Sequence, residues 1–177
     1  GKFFALSDAK IFDLENQAEF PLPETFGKIQ VATGMNDLNL IILINPQGKA
    51  LAFSPISKKF QDNNLNIPAD AKIILAGTYL TYLYLVDANN NQIYRYPRAE
   101  GGFGAKTNWK KEDTDISQSS GIAINENIYL ATPDNVLKFF RGQKQDFTIA
   151  ESPTKILPFK VASKIDGQYI WLLDKTN

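Results

Sequence analysis

The 177-residue chain contains neither cysteine nor histidine. That double absence removes disulfides, thiol nucleophiles, Cys/His zinc sites and every imidazole-based catalytic triad. No long apolar run is present either. The longest, Leu38 to Ile44, is interrupted by Asn39 and falls far short of the ~20 residues a membrane helix needs. An excess of charge is also lacking, since Lys+Arg and Asp+Glu both total 19. A chain so balanced has no general basic field for nucleic acid or an acidic membrane surface. The sequence itself shows no signal peptide, since Gly1-Lys2-Phe3-Phe4 reads directly as a strand, and its start is compatible with an export signal cut away ahead of Gly1.

What is present is repetition. Five segments share an aromatic and aliphatic run closed by a small or polar residue: FFALS (3–7), LIILIN (40–45), YLYLVD (82–87), NIYLAT (127–132) and YIWLLD (169–174). Their closing residues, Ser7, Asn45, Asp87, Thr132 and Asp174, stand 38, 42, 45 and 42 positions apart. Each of the first four leads through a turn into a second alternating run: AKIFDLE, KALAFS, QIYRYP and NVLKFF. Pro46-Gln47-Gly48 and Asn89-Asn90-Asn91 are strong turn formers, because Gly and Asn tolerate the positive φ of tight hairpins. The last four pairs are preceded by short apolar strands: KIQVAT (28–33), KIILAG (72–77), GIAIN (121–125) and KVASKI (160–165). Weaker strands are expected around Phe20, Phe60, Trp109 and Phe147. No segment carries a helical period.

Repeats of about 40 residues, each of four short strands, predict an all-β chain folded as a β-propeller of four-stranded antiparallel blades. A lone blade has two apolar faces, and stacking blades side by side buries both. Phe4, Tyr84, Tyr129 and Trp171 are therefore expected in the core. With strands lettered A to D from the inside outward, the chain reads BCD, ABCD, ABCD, ABCD, AB, or seventeen strands. About four blades' worth is present in one domain, with approximate repeats 3–36, 37–80, 81–125, 126–167 and the start of a fifth at 168–177. Asp174-Lys175-Thr176-Asn177 opens a hairpin turn and stops. The expectation is a truncated piece of a six- or seven-bladed ring, and the alternative is a compact ring sealed by its termini. Open blade edges would permit self-association.

Two stretches carry a family likeness. SGIAINENIYLAT (120–132) resembles the first two strands of an NHL-type propeller repeat, and Asp87-Ala88-Asn89-Asn90-Asn91-Gln92-Ile93-Tyr94-Arg95-Tyr96 resembles that repeat's Asp-x-x-Asn-Asn-Arg-Ile-x-x-Phe hairpin. Gln92 departs from its Arg and Tyr96 from its Phe. The resemblance implies the propeller fold. Known RNA binding among such propellers calls for a strongly basic face, against which the charge balance stands, with Lys110-Lys111 followed by Glu112, Asp113 and Asp115.

The most unusual segment is PRAEGGFGAKTNWKKEDTDISQS (97–119). Its GGFGAKT lacks Walker spacing, and its three acids lack the EF-hand pattern. Because blade strands alternate in direction, the Asn89–Asn91 turn and this whole segment are expected at one rim. Asn89, Asn90, Asn91, Arg98, Phe103, Trp109, Lys110 and Lys111 are the candidate binding residues, an aromatic and cationic set of the kind that dominates binding hot spots. The bland alternatives are a flexible loop and ordinary outer-strand packing by Trp109. Catalytic residues, metal ligands and cofactors are all expected to be none. Asn45, Asp87, Asn125, Asp134 and Asp174 would be the acids and amides of a metal-dependent propeller hydrolase or lactonase, yet each sits where turns prefer Asn and Asp anyway. The leading expectation is a non-enzymatic interaction module presenting a loop face to a protein or glycan. The alternatives are that hydrolase, and a structural spacer within a larger envelope or surface protein. The compartment is not fixed by the residues, and the expectation leans to an extracytoplasmic or surface-associated setting.

Overall fold

A computed structural model of the chain describes residues 3–63, 65–149, 158–163 and 169–174. The first sheet has three antiparallel strands, β1 (Phe4–Leu6), β2 (Lys10–Asp13) and β3 (Ala18–Pro21). The second has four: β4 (Val31–Met35), β5 (Leu40–Ile44), β6 (Ala50–Ser54) and β7 (Lys59–Asn63). In the third, β8 (Ile73–Tyr79), β9 (Tyr82–Asp87) and β10 (Gln92–Tyr96) run inner to outer. A small hairpin follows, β11 (Arg98–Ala99) with β12 (Gly102–Phe103), before the edge strand β13 (Thr107–Asn108). The fourth sheet is β14 (Gly121–Ile124), β15 (Ile128–Ala131), β16 (Val136–Phe140) and β17 (Gln143–Gln145). A fifth pairs β18 (Pro158–Ser163) with β19 (Ile170–Asp174). Apart from one 3-10 turn at Asn36–Leu38, the described residues contain no helix.

The chain is a β-propeller arc built from four-stranded antiparallel blades. The strands of the five sheets follow the expected order, and the β11–β12 hairpin adds two more. That hairpin corrects the expectation of a flexible loop: Glu100-Gly101, with Gly101 at φ +75°, forms a tight turn that pairs Arg98 with Phe103. The inner strand of the second sheet also lies later than expected, at Val31–Met35, because Gly34 and Met35 continue the ladder opposite Ile41 and Leu40. Lys164-Ile165 and Lys175–Asn177, named above for a strand end and an opening turn, lie outside the described residues.

Alternation along each strand explains how the blades stack. In β9, Leu83 and Leu85 point back toward the second sheet and pack with Ile42, Ile44, Tyr94 and Tyr96. Tyr84 and Val86 point forward and pack with Ile128, Leu130 and Phe139 of the fourth. Similar clusters join the first sheet to the second, around Ile11, Leu43 and Phe53, and the fourth to the fifth, around Tyr129, Ala131 and Val161. Each fully buried Leu or Ile contributes about 1.5–3 kcal/mol. Tyr84, Tyr129 and Trp171 occupy equivalent places, opposite the small inner-strand residues Gly77, Ala123 and Ala162.

Their surroundings differ. Tyr84 and Tyr129 are 6% and 8% exposed, whereas Trp171 is 61% exposed beside exposed Tyr169 and Leu173. The expectation of a core role for Trp171 is thus corrected, because no described sheet covers the forward face of β19. At the other end of the row, the backward face of the first sheet carries an ion pair. Lys10 bonds Glu19 at 2.6 Å and lies 4.8 Å from the Phe12 ring centre. Counting from the matching left-handed turn residues Gln17 and Lys58, Lys10, Phe12 and Glu19 stand where the second sheet has Leu51, Phe53 and Phe60.

Candidate binding rim

The rim begins at Asp87, which closes β9 and is fully buried. Its Oδ1 accepts the backbone N–H groups of Lys72 (2.9 Å), Asn89 (3.0 Å) and Asn90 (3.3 Å). Its Oδ2 accepts Nδ2 of Asn90 (2.7 Å) and the hydroxyl of Tyr94 (3.0 Å). Burial on its own would raise the carboxyl pKa, but donors from Asn90, Lys72 and Tyr94 outweigh it and hold the group below the ordinary range. Asn91 ends the turn in the left-handed region at φ 48°, which asparagine tolerates. In the second sheet Asn45 does comparable work, donating to the Phe26 carbonyl at 2.6 Å and accepting from Gln47 and Lys49.

The connection from β13 to β14 is laced to this turn. Asn91 Nδ2 donates to Asp113 at 3.3 Å, and Asn91 Oδ1 accepts the Ile116 N–H at 3.0 Å. Gln92, the departure from the NHL-type motif, accepts the Lys110 N–H at 2.9 Å and donates to the Lys110 carbonyl at 3.2 Å. Its amide therefore continues the ladder where a long cationic side chain would not.

The eight candidate residues do not form one patch. Asn89 and Asn90 are exposed on the turn, and Lys111 is exposed beside it. Lys110 is only 5% exposed, and its ammonium donates to the Glu112 carbonyl at 2.5 Å. Burial lowers its pKa, and Asp113, Glu112 and Asp115 oppose that shift. Trp109 packs edge-on against Tyr84, with ring centres 5.9 Å apart. Arg98 and Phe103 lie elsewhere, on the hairpin that leaves β10 at Tyr96, the end opposite Asn91. There Arg98 donates to the Gly102 carbonyl at 2.8 Å, and Phe103 packs on the cluster containing Leu65 and Tyr96. The expectation that residues 97–119 share one rim is corrected accordingly: only the part from Trp109 onward joins the Asn89–Asn91 turn. The hairpin interrupts the third blade between its third and fourth strands, so its two halves emerge at different ends.

The acids and amides considered for a metal are committed to their own turns where their bonds are seen. Asp87 spends both oxygens on five donors, and Asn45 spends its amide on three partners. Among the described residues, no three His, Cys, Asp or Glu side chains gather as a metal site. A feature missed in the sequence is the axial cavity of about 330 Å³ lined by the inner strands, including Thr33, Gly77, Thr78, Ile122 and Ala162. Its only signal was the runs of small residues on those strands, Thr33-Gly34 and Ala76-Gly77-Thr78.

No family model matches the chain, and no curated protein matches it. Solved structures do match. An auxiliary nutrient binding protein from Bacteroides thetaiotaomicron VPI-5482 superposes with a TM-score of 0.67 at 9% identity, over 98% of this chain and 54% of that one. Virginiamycin B lyase from Staphylococcus aureus gives 0.62 at 15% identity, over 98% and 63%. YCF48 bound to D1 peptide gives 0.61 at 10%, over 98% and 57%. The chain thus spans between 54% and 63% of the length of these structures. At such identities the likeness concerns the fold alone, and the fold it supports is the β-propeller.

Proposed function

We propose that the chain is a non-enzymatic binding module whose rim, at Asn89, Asn90 and Lys111, engages a protein partner. The observation that carries this reading is a turn held rigid from within and polar on the outside. Asn89 donates its amide nitrogen to the Asp70 carbonyl at 2.8 Å and Asn90 donates its own to Asp87. Their amide oxygens are then the acceptors left to a partner, pre-positioned at little entropic cost on binding. Lys111 adds an exposed cation. Two of the structural neighbours carry binding in their descriptions, a nutrient binding protein and a protein bound to a peptide. They supply precedent for the fold, not for these residues.

The test compares immobilised wild-type chain with an Asn89→Ala, Asn90→Ala, Lys111→Glu variant against an extract of the source organism and against a glycan array. A protein retained by the first, and lost both by the second and by Lys111→Glu alone at unchanged melting temperature, is the expected result. Equal retention of every species by both, or retention of glycans only, overturns the reading. The hydrolase alternative gains no observation, because Asp87 is spent on its turn. Calcium titration of the melting temperature is its separate test, since a specific ion raises it.

A further inference from the structure

Lys111 does not stand alone at the end of the rim. Its backbone N–H donates to the Gly142 carbonyl at 2.9 Å, so the turn between β16 and β17 is fastened to it. The contact is close, since a Cβ added to Gly142 would lie 3.0 Å from the Lys111 Cγ and would fall on the Trp109 carbonyl oxygen. A turn of the fourth blade is thereby held beside the connection that leaves the third.

That turn presents Arg141. Phe140 pairs with Gln143 across two central residues, and both of these, Arg141 and Gly142, lie in the left-handed region at φ 51° and 87°. Such a turn favours asparagine before the glycine. Arginine is disfavoured there on backbone grounds, and what it brings instead is its side chain. The guanidinium lies 5.0 Å from the centre of the Phe140 ring, which is 39% exposed. Stacking of this kind orients the guanidinium and leaves its edge N–H groups to a ligand. Arg141 and Lys111 are both exposed, and among the described residues neither forms an ion pair.

The acids that follow Lys111 restrict what can approach. Asp113 accepts from Asn91, Glu112 from the Thr114 hydroxyl and Asp115 from the Ser117 N–H. A dense polyanion such as nucleic acid would meet these three negative charges as well as the two positive ones, at a cost. A lone carboxylate can reach the two cations while its neutral neighbours pass the acids.

We infer that Arg141, stacked on Phe140, and Lys111 together take an Asp or Glu side chain from an otherwise neutral segment of the protein partner. The assignment rests on the rim proposed above and adds the chemistry of its partner. Arginine offers a carboxylate two parallel N–H bonds, and Lys111 adds a second cation. The exposed amide oxygens of Asn89 and Asn90 then meet the uncharged flanks of the segment.

The probe is the synthetic peptide acetyl-Gly-Ser-Glu-Ser-Glu-Ser-Gly-amide, with a counterpart carrying Gln in both Glu positions. Each is titrated into the isotope-labelled full chain at low salt and followed by NMR. The Glu peptide is expected to give saturable shifts at Arg141 Nε and the Lys111 amide, and the Gln peptide to bind at least tenfold more weakly. Arg141→Asn suits the turn, so it is expected to weaken Glu-peptide binding at least fivefold without lowering the melting temperature. Should that variant fail to fold, the two peptides decide alone. The assignment is overturned by absent saturation, by equal binding of the two peptides, by shifts that avoid Arg141 and Lys111, by undiminished binding to folded Arg141→Asn, or by tighter binding of a ten-nucleotide oligothymidylate. Absent peptide binding, with an extract protein still lost from Lys111→Glu, removes the acidic partner and keeps the rim. Peptide binding with no extract protein retained supports the carboxylate site and removes the rim reading alone.

Discussion

The Tyr94 hydroxyl donates to Oδ2 of Asp87 at 3.0 Å, joining the residue that closes β9 to the centre of β10 inside the core. The bond makes the rim turn and the packing between the second and third blades one unit, because Tyr94 belongs to the cluster that also holds Ile42, Leu83 and Leu85.

Asp87→Ala is expected to cost about 3 kcal/mol or more, since it strands several buried donors at once. Asp87→Asn should cost less, because Asn45 serves a comparable turn in the second blade. Urea unfolding of both variants measures the difference.

Asp87 also sets an acid limit. Its folded pKa is depressed below an unfolded value of about 3.9. Between the two values the unfolded chain binds the extra proton, so the stability from this group is full above the unfolded value and is lost as pH falls through the folded one. The gap between wild type and Asp87→Asn should therefore narrow below about pH 4.

At alkaline pH the sign reverses. Burial, with Asp87 beside it, pushes the Tyr94 phenol up to about 12. The unfolded phenol ionises near 10, so this contribution is present below that value and declines as pH rises toward 12. Tyr94→Phe should flatten that decline in melting temperatures.

Two left-handed glycines should behave differently. Gly101 has φ +75° and open space around its missing Cβ, so Gly101→Ala is expected to cost about 1 kcal/mol. Gly142 has φ +87°, and a Cβ there would fall on the Trp109 carbonyl oxygen. Gly142→Ala should cost about 3 kcal/mol or more in chemical unfolding.

The neighbouring lysines are not equivalent. Lys110→Ala removes a buried stem and its bond to the Glu112 carbonyl, and about 1–2 kcal/mol of stability should go with it. Lys111→Ala should change unfolding by less than about 0.5 kcal/mol.

The repeat and its strand order were legible because strands buried on both faces read as near-continuous apolar runs, as in LIILI and YLYLVD. The outer strands were harder. Trp109 and Phe147 were read as their centres, but they sit just past β13 and β17 and turn inward onto Tyr84 and Tyr129. An edge strand needs only a few polar residues, such as Thr107-Asn108, to complete a sheet, so its pattern is faint. The hairpin at Arg98–Phe103 was marked by Glu100-Gly101, yet with only two residues on each side it carries no alternation to read. The rim was half legible: turn chemistry identified Asn89–Asn91, but which end of a strand a later segment returns to depends on pairing that no local pattern encodes.

Lys10 and Glu19, bonded above Phe12, give the arc a direction. A sheet arriving on that side would have to strip water from both charges, which two opposite ions repay only with good geometry and further bonds. A sheet arriving beside Tyr169, Trp171 and Leu173 would instead remove oily surface from solvent. The two flanks of the described sheets therefore differ in what their burial would cost, with ions to be dehydrated on one and aromatic surface to be covered on the other.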